Sequence, residues 1–182
     1  MIDTYGTGFG YGLYKPHPAK PKVFVSYHHE NDQAYYDRFA ALFADRYDII
    51  TDTSIDRIIA SADALYQQQV IREQHITGSS ITIILCGIES WKRRWIDWEI
   101  HMTLNILHAL LGICLPTNPR NADGTVTVPD RLHTNIVRGY AHFIHWTEDP
   151  QFLRAAIDCS LEKAHQPGNR DNSAPRMERS RP

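Results

Sequence analysis

Short apolar runs recur along the chain, and each is rich in β-branched or aromatic residues. Runs of this kind predict β-strands. The predicted strands are 22–27 (KVFVSY), 47–51 (YDIIT), 81–86 (ITIILC), 110–115 (LLGICL) and 142–146 (HFIHW). The run at 81–86 is apolar on both faces, which is typical of a central parallel strand covered on both sides.

Apolar residues at helical spacing separate these strands. A helix is predicted from Gln33 to Arg46, because aromatic and aliphatic residues recur there three or four positions apart. Asn31 or Asp32 is its expected N-cap. Further helices are predicted over 62–75, 92–109 and 150–164. We expect Asp149 to cap the last of these, and the stretch 117–140 to be irregular.

Strands and helices alternate about five times, which predicts an α/β fold with a parallel sheet and helices on both faces. Sheets of this kind hold their sites beyond the carboxyl ends of the strands. The turns at 26–29 and 52–54 and the loop that begins at Gly87 therefore converge on one edge.

The chain has 182 residues, which predicts one domain over 22–164 with two flanking segments. Residues 1–21 are rich in Gly, Tyr and Pro. They form either a flexible arm or an arm that docks on a neighbouring subunit. Residues 165–182 have the composition of a disordered tail.

Composition excludes several functions. The net charge of −2 does not indicate nucleic acid or an anionic membrane surface as a partner. The sequence contains neither a stretch of about eighteen apolar residues nor a secretory signal, so no membrane span is predicted. The three cysteines are far apart and form no CxxC pair, which favours a reducing cytoplasm.

Other chemistries are weakly supported. The histidines do not have the spacing of a metal site, so no metal is predicted. No G-x-S-x-G motif indicates a serine hydrolase. A receiver domain would require an acid after the third strand, where the chain instead has Cys86 and Gly87.

The stretch 90–99 (SWKRRWIDWE) is the richest in candidate chemistry. On a helix, Trp91, Trp95 and Glu99 lie on one face. A carboxylate beside aromatic surface could stabilise a developing positive charge. Alternatively, the tryptophans are a core face and Glu99 is solvated at its rim. The spacing alone favours this second interpretation.

Three stretches together resemble the TIR domain family. VFVSYHHEND resembles the first strand and its loop, IITD the second strand with its terminal acid, and SSITIILCGIESWKRRWIDWEI the third strand and the helix that carries a W-x-x-x-E signature. In this sequence the signature is Trp95 to Glu99. The likeness is closest to the bacterial TIR-like group of anti-phage defence, including the NAD-consuming subunit of Thoeris systems.

The resemblance implies a flavodoxin-like three-layer TIR fold and cleavage of the nicotinamide–ribose bond of NAD, with NAD as a substrate and no cofactor. It implies that Glu99 is the catalytic carboxylate and that Trp95 supports it. Ser26, Tyr27 and His28 match positions at the NAD pocket, and Asp52 matches the acid that ends the second strand.

The resemblance also implies a nucleotide product, such as a cyclic ADP-ribose, that signals to a separate effector. A homo-oligomer and a phage-derived trigger are the other expected partners. The alternative is a TIR-like scaffold that assembles with proteins and performs no chemistry. Residues 52–62 lack the glycine-bearing loop of many signalling relatives, so the assembly mode of those relatives is not carried over.

Overall fold

The computed structural model describes residues 20–51 and 73–182. Its strands are β1 (Lys22–Ser26), β2 (Asp48–Thr51), β3 (Ile81–Cys86), β4 (Ala109–Cys114) and β5 (His142–His145). Its α-helices are α1 (His29–Phe43), α2 (Arg94–Asn105), α3 (Asp130–Val137) and α4 (Pro150–Ala164). A 3-10 helix at Ser90–Lys92 precedes α2, and residues 73–77 are helical.

Within these residues the strands form one parallel sheet in the order β2-β1-β3-β4-β5. The central strands β3 and β4 pair along their whole length, from Ile81 opposite Ala109 to Cys86 opposite Cys114. Both strands are buried at every position. The predicted α/β fold with a five-stranded parallel sheet is confirmed.

The sheet separates two apolar layers. On one face, α1 and α4 pack on β1, β3 and β4 through side chains that include Phe39, Phe43 and Leu153. On the other face, α2 and α3 contribute residues such as Ile100 and Leu132. The alternation of strand side chains fills both layers at once, because successive residues point to opposite faces.

The first helix begins earlier than predicted. Its N-cap is His28, which makes no side-chain cap, and Asn31 and Asp32 lie inside the first turn. The prediction that one of these two residues caps the helix is therefore wrong. The side chain of Asp32 is instead fully buried.

The stretch 117–140 contains α3, which the sequence prediction missed. This helix spans only eight residues, so its apolar period is too short to stand out from the surrounding turn residues. At the next element the prediction is confirmed, because Asp149 caps α4 by accepting a hydrogen bond from the backbone N–H of Gln151 at 2.8 Å.

The predicted disordered tail differs most from the structure. Residues 170–181, called here the C-terminal strap, lie along α2 and α3. The Asn172 side chain accepts a hydrogen bond from Arg131 at 2.7 Å and donates one to the backbone oxygen of His101 at 3.1 Å. The polar composition that indicates disorder in isolation supplies hydrogen-bonding groups that match these helices.

Several predictions lie outside the described residues. They concern most of the N-terminal arm, most of the predicted helix over 62–75, and Asp52. The division of the chain at residues 21 and 164 into an arm, a domain and a tail stays a prediction.

Candidate functional site

Glu99 lies on α2 and is 3% exposed. The expectation from spacing alone, a carboxylate solvated at the rim of the helix, is therefore wrong. One turn further along α2, the Thr103 hydroxyl donates to the backbone oxygen of Glu99 at 2.8 Å. The same hydroxyl lies 2.6 Å from that of Thr82 in β3.

The Thr82–Thr103 pair shows how far along the strand direction Glu99 lies. Because α2 starts near the carboxyl ends of the strands and runs back toward their amino ends, Glu99 lies nearer the carboxyl edge than Thr103. Four helical residues rise about 6 Å, which equals about two residues of a strand. Glu99 is therefore level with Ile84 and with its neighbour Ser26.

Ser26 ends β1 and is 1% exposed. It lies two residues after Phe24, which packs against Trp98 of α2, so both β1 side chains face the α2 layer. The Ser26 hydroxyl is buried and has no hydrogen-bond partner among the described residues. Ser26 and Glu99 are therefore both buried, and they lie at about the same position along the strand direction.

His28 follows β1 at the carboxyl edge and is partly buried. Burial and the nearby Arg93 cation lower the pKa of His28 below its usual range, against the opposing effects of Glu30 and Glu89. The imidazole is therefore neutral at neutral pH. Its Nδ1 is buried and unpartnered within the described part of the chain.

Tyr27 faces the opposite layer from Ser26. Its ring stacks on Tyr36 with centroids 4.6 Å apart, and its hydroxyl donates to Oε1 of Gln33 at 2.9 Å. The structure therefore does not place the Tyr27 ring in the layer of Glu99, although its backbone lies at the same edge.

The tryptophans of the SWKRRWIDWE stretch have different surroundings. Trp98 is buried against Phe24 and Ile76. Trp95 is partly exposed, lies edge-on to Trp98, and is stacked by the Arg94 guanidinium 4.6 Å from its ring centroid. Trp95 also packs against the apolar cluster that Trp98 forms with Phe24 and Ile76.

Asp32 is a buried carboxylate at this edge that the sequence analysis treated only as a helix cap. It is fully buried, and burial raises its pKa to about 6. The signal was present in the sequence. Asp32 lies four and seven residues before Tyr36 and Phe39, on the face that α1 turns toward the sheet.

The described residues also bear on metal binding, on membrane-spanning helices and on the state of the cysteines. Within the described ranges, no three His, Cys, Asp or Glu side chains are grouped so that they could hold a metal ion. No helix in those ranges is long and apolar enough to cross a membrane. All three cysteines, Cys86, Cys114 and Cys159, are free thiols.

A doubly wound parallel sheet whose third strand leads to a helix with a buried Trp-x-x-x-Glu acid defines a TIR-like domain. The chain belongs to the family described as "Thoeris protein ThsB, TIR-like domain", whose sequence model matches residues 24–120, more than half of the chain. The resemblance to TIR domains of anti-phage defence is confirmed.

The chain is also similar to a solved structure of TIR domains, that of the activated Roq1 resistosome directly recognizing the pathogen effector XopQ. The similarity has a TM-score of 0.40 and 12% sequence identity, and it covers 80% of this chain and 84% of that chain. The chain matches no curated protein.

Proposed function

We propose that this protein cleaves the nicotinamide–ribose bond of NAD and so makes a nucleotide signal in anti-phage defence. The observation that carries the proposal is the buried Glu99 carboxylate, one turn after Trp95 and level with Ser26. Membership of the Thoeris ThsB family supports the biological setting.

The proposed chemistry needs a carboxylate and little else. The bond between the ribose carbon and the nicotinamide nitrogen breaks, and its electron pair leaves with neutral nicotinamide. Positive charge then develops on the ribose. A buried carboxylate stabilises such a charge more strongly than a solvated one does, because the surrounding dielectric is low.

The acceptor determines the product. Attack by water yields ADP-ribose and a proton. Attack by a nucleophile of the same molecule yields a cyclic ADP-ribose, which contains one water fewer than ADP-ribose, and also releases a proton. We favour a cyclic ADP-ribose-like signal that acts on a separate effector. Ser26, His28 and Trp95 are the proposed NAD-binding residues in the described part of the chain, and Tyr27 and Asp52 remain sequence-based proposals.

The setting of the reaction is also part of the proposal. The free thiols are consistent with a reducing cytoplasm. We further propose that the active species is a homo-oligomer formed after a phage-derived trigger binds.

The test is NAD consumption by the purified protein, with and without lysate from phage-infected cells, with products identified by mass spectrometry. Glu99→Gln keeps the size of the side chain and removes its charge, so turnover should fall at least about 100-fold. Glu162→Gln is the matched control, because Glu162 is exposed on α4, on the opposite face of the sheet, and should leave turnover unchanged.

Two outcomes would contradict the proposal. Undiminished turnover in Glu99→Gln would exclude Glu99 as the catalytic carboxylate. If no NAD product forms with any trigger, yet phage resistance is lost in Glu99→Gln cells, the protein acts as a scaffold.

A further inference from the structure

Asp32 joins three segments of the chain at the carboxyl edge of the sheet. Its backbone N–H donates at 2.8 Å to the carbonyl of His28, the N-cap of α1 in the segment after β1. Its Oδ1 accepts a hydrogen bond from the Thr117 hydroxyl at 3.4 Å, in the loop after β4. Its carboxyl group also packs directly on Gly87, the residue after β3.

The contact with Gly87 is close enough to require glycine. A Cβ atom built on residue 87 would overlap all three atoms of the Asp32 carboxyl group. The carboxyl group therefore occupies the space that a side chain at position 87 would take. The two residues are complementary in volume, and neither can change alone without a rearrangement.

The segment that Gly87 begins leads directly to the helix of Glu99. The Ser90 hydroxyl donates to the Gly87 carbonyl at 3.1 Å, and the Asn31 amide donates to Glu89 at 3.2 Å. The 3-10 helix Ser90–Lys92 and then α2 follow. The course of the chain at Gly87 thus determines where α2 starts.

The arrangement has an energetic cost. Oδ2 of Asp32 is buried and has no hydrogen-bond partner among residues 20–51 and 73–182, and an unsatisfied buried polar group is unfavourable. An apolar side chain at position 32 would avoid this cost. A carboxylate kept there despite its cost suggests a role in the site.

We propose that Asp32 is a positioning residue for the chemistry at Glu99. Its carboxyl group accepts a hydrogen bond from Thr117 and packs on Gly87, and these contacts determine the conformation of the loop that leads from β3 to the helix of Glu99. This inference rests on the proposed NAD cleavage for its kinetic consequence, but its structural consequence can be measured separately.

The first test separates positioning from substrate binding. In Asp32→Ala, the space beside Gly87 that the carboxyl group fills is empty, and the loop that leads to Glu99 can shift. We expect kcat for NAD to fall about 10-fold to 100-fold, because small misplacements of catalytic groups have effects of this size. KM should stay within about 3-fold of the wild type. Asp32→Asn retains an oxygen for Thr117 and the same volume, so it should keep kcat within about 3-fold of the wild type.

The second test is a volume exchange. Gly87→Ala alone should disturb the loop, because its methyl group meets the carboxyl group. In the double variant Asp32→Ala/Gly87→Ala, the new methyl group fills the space that the carboxyl group leaves. The double variant should therefore recover at least about 3-fold in kcat over either single variant, which is the non-additivity expected of residues in contact.

Hydrogen exchange of the amides of residues 88–93 is the readout that does not need activity. Exchange should increase at least about 10-fold in Asp32→Ala and Gly87→Ala, and return toward the wild-type rate in the double variant and in Asp32→Asn. The amides of α4 serve as the internal control for global unfolding.

The outcomes distinguish the two proposals. If the wild type cleaves no NAD but exchange at 88–93 follows this pattern, the proposed function fails and the structural role of Asp32 stands. If Glu99-dependent cleavage is found and Asp32→Ala leaves both kcat and exchange unchanged, this inference is overturned. Additive effects in the double variant would overturn it as well.

Discussion

Asp32 and Glu99 are two of the buried carboxylates in the described part of this domain, and they are tested in different ways. Glu99 is proposed to act in NAD cleavage, so the effect of its substitution is measured as the rate of NAD turnover. Asp32 has a thermodynamic signature, because burial raises its pKa from 3.8 to about 6. The folded protein therefore binds this proton more tightly than the unfolded chain does.

The first residue-scale prediction concerns the pH dependence of stability. The contribution of the protonated Asp32 is fully present below pH 3.8 and is lost as the pH rises through about 6. The side chain of the Asp32→Asn variant does not ionise, so the variant does not lose this stability as the pH rises. The unfolding free energy of the variant relative to the wild type should therefore rise by about 1–3 kcal/mol between pH 4 and pH 7.

The measurement is urea unfolding of both proteins at several pH values. Asp37→Asn is the control, because Asp37 is exposed on the same helix. A stability difference for Asp32→Asn that stays constant from pH 4 to pH 7 would contradict the raised pKa.

At the scale of elements, the C-terminal strap and the helices α2 and α3 act as one unit. A buried ion pair joins the two helices, with Nε of Arg131 3.0 Å from Oδ1 of Asp97. The strap satisfies the remaining atoms of the pair, because the Pro175 carbonyl accepts from Arg131 at 3.0 Å and the Met177 N–H donates to Asp97 at 2.8 Å. A buried ion pair is favourable only when its remaining atoms are satisfied in this way.

The element-scale prediction tests the strap at Asn172. Its side chain bonds to Arg131, to the backbone of His101 and to Oδ1 of Asn105. Asn172→Ala should lower the unfolding free energy by about 1–3 kcal/mol, because partly buried partners lose their hydrogen bonds.

Chemical denaturation measures this effect, and Arg179→Ala is its control because Arg179 is exposed on the same strap. We expect the control to change stability by less than about 0.5 kcal/mol. Equal stability of the Asn172 and Arg179 variants would show that the strap does not contribute to the fold.

At the scale of the whole molecule, the fold depends on a sheet that is covered on both faces. Gly112 in β4 illustrates how closely the second layer packs. A Cβ atom at this position would lie 2.7 Å from Phe143 and 3.0 Å from Leu132. The central strand therefore requires a residue without a side chain under α3.

The whole-molecule prediction is that Gly112→Ala destabilises the domain by about 1–3 kcal/mol through overpacking. Gly168→Ala is the matched control, because no atom of the described residues lies within 4 Å of a Cβ atom at that position. Thermal unfolding compares the two. A Gly112 variant as stable as the Gly168 variant would indicate that the layer can expand at no cost.

Periodicity and local chemistry were sufficient for much of the fold. The bounds of β3 were predicted as they are found, and so were the helix 150–164 and its Asp149 cap. Each of these features depends on neighbours in sequence, since an apolar run or a capping side chain acts within a few residues. The Trp95–Glu99 spacing and the family were readable for the same reason.

Contacts between distant residues determined what the sequence alone did not show. Asp32 becomes a buried carboxylate because Gly87 and Thr117, in the segments that follow β3 and β4, contact it. The polar tail becomes an ordered strap because Arg131 and Asp97, far away in sequence, offer it partners. Residue type and spacing therefore determined the elements and the candidate acid Glu99, whereas the burial of polar groups depended on which segments the sheet brings together.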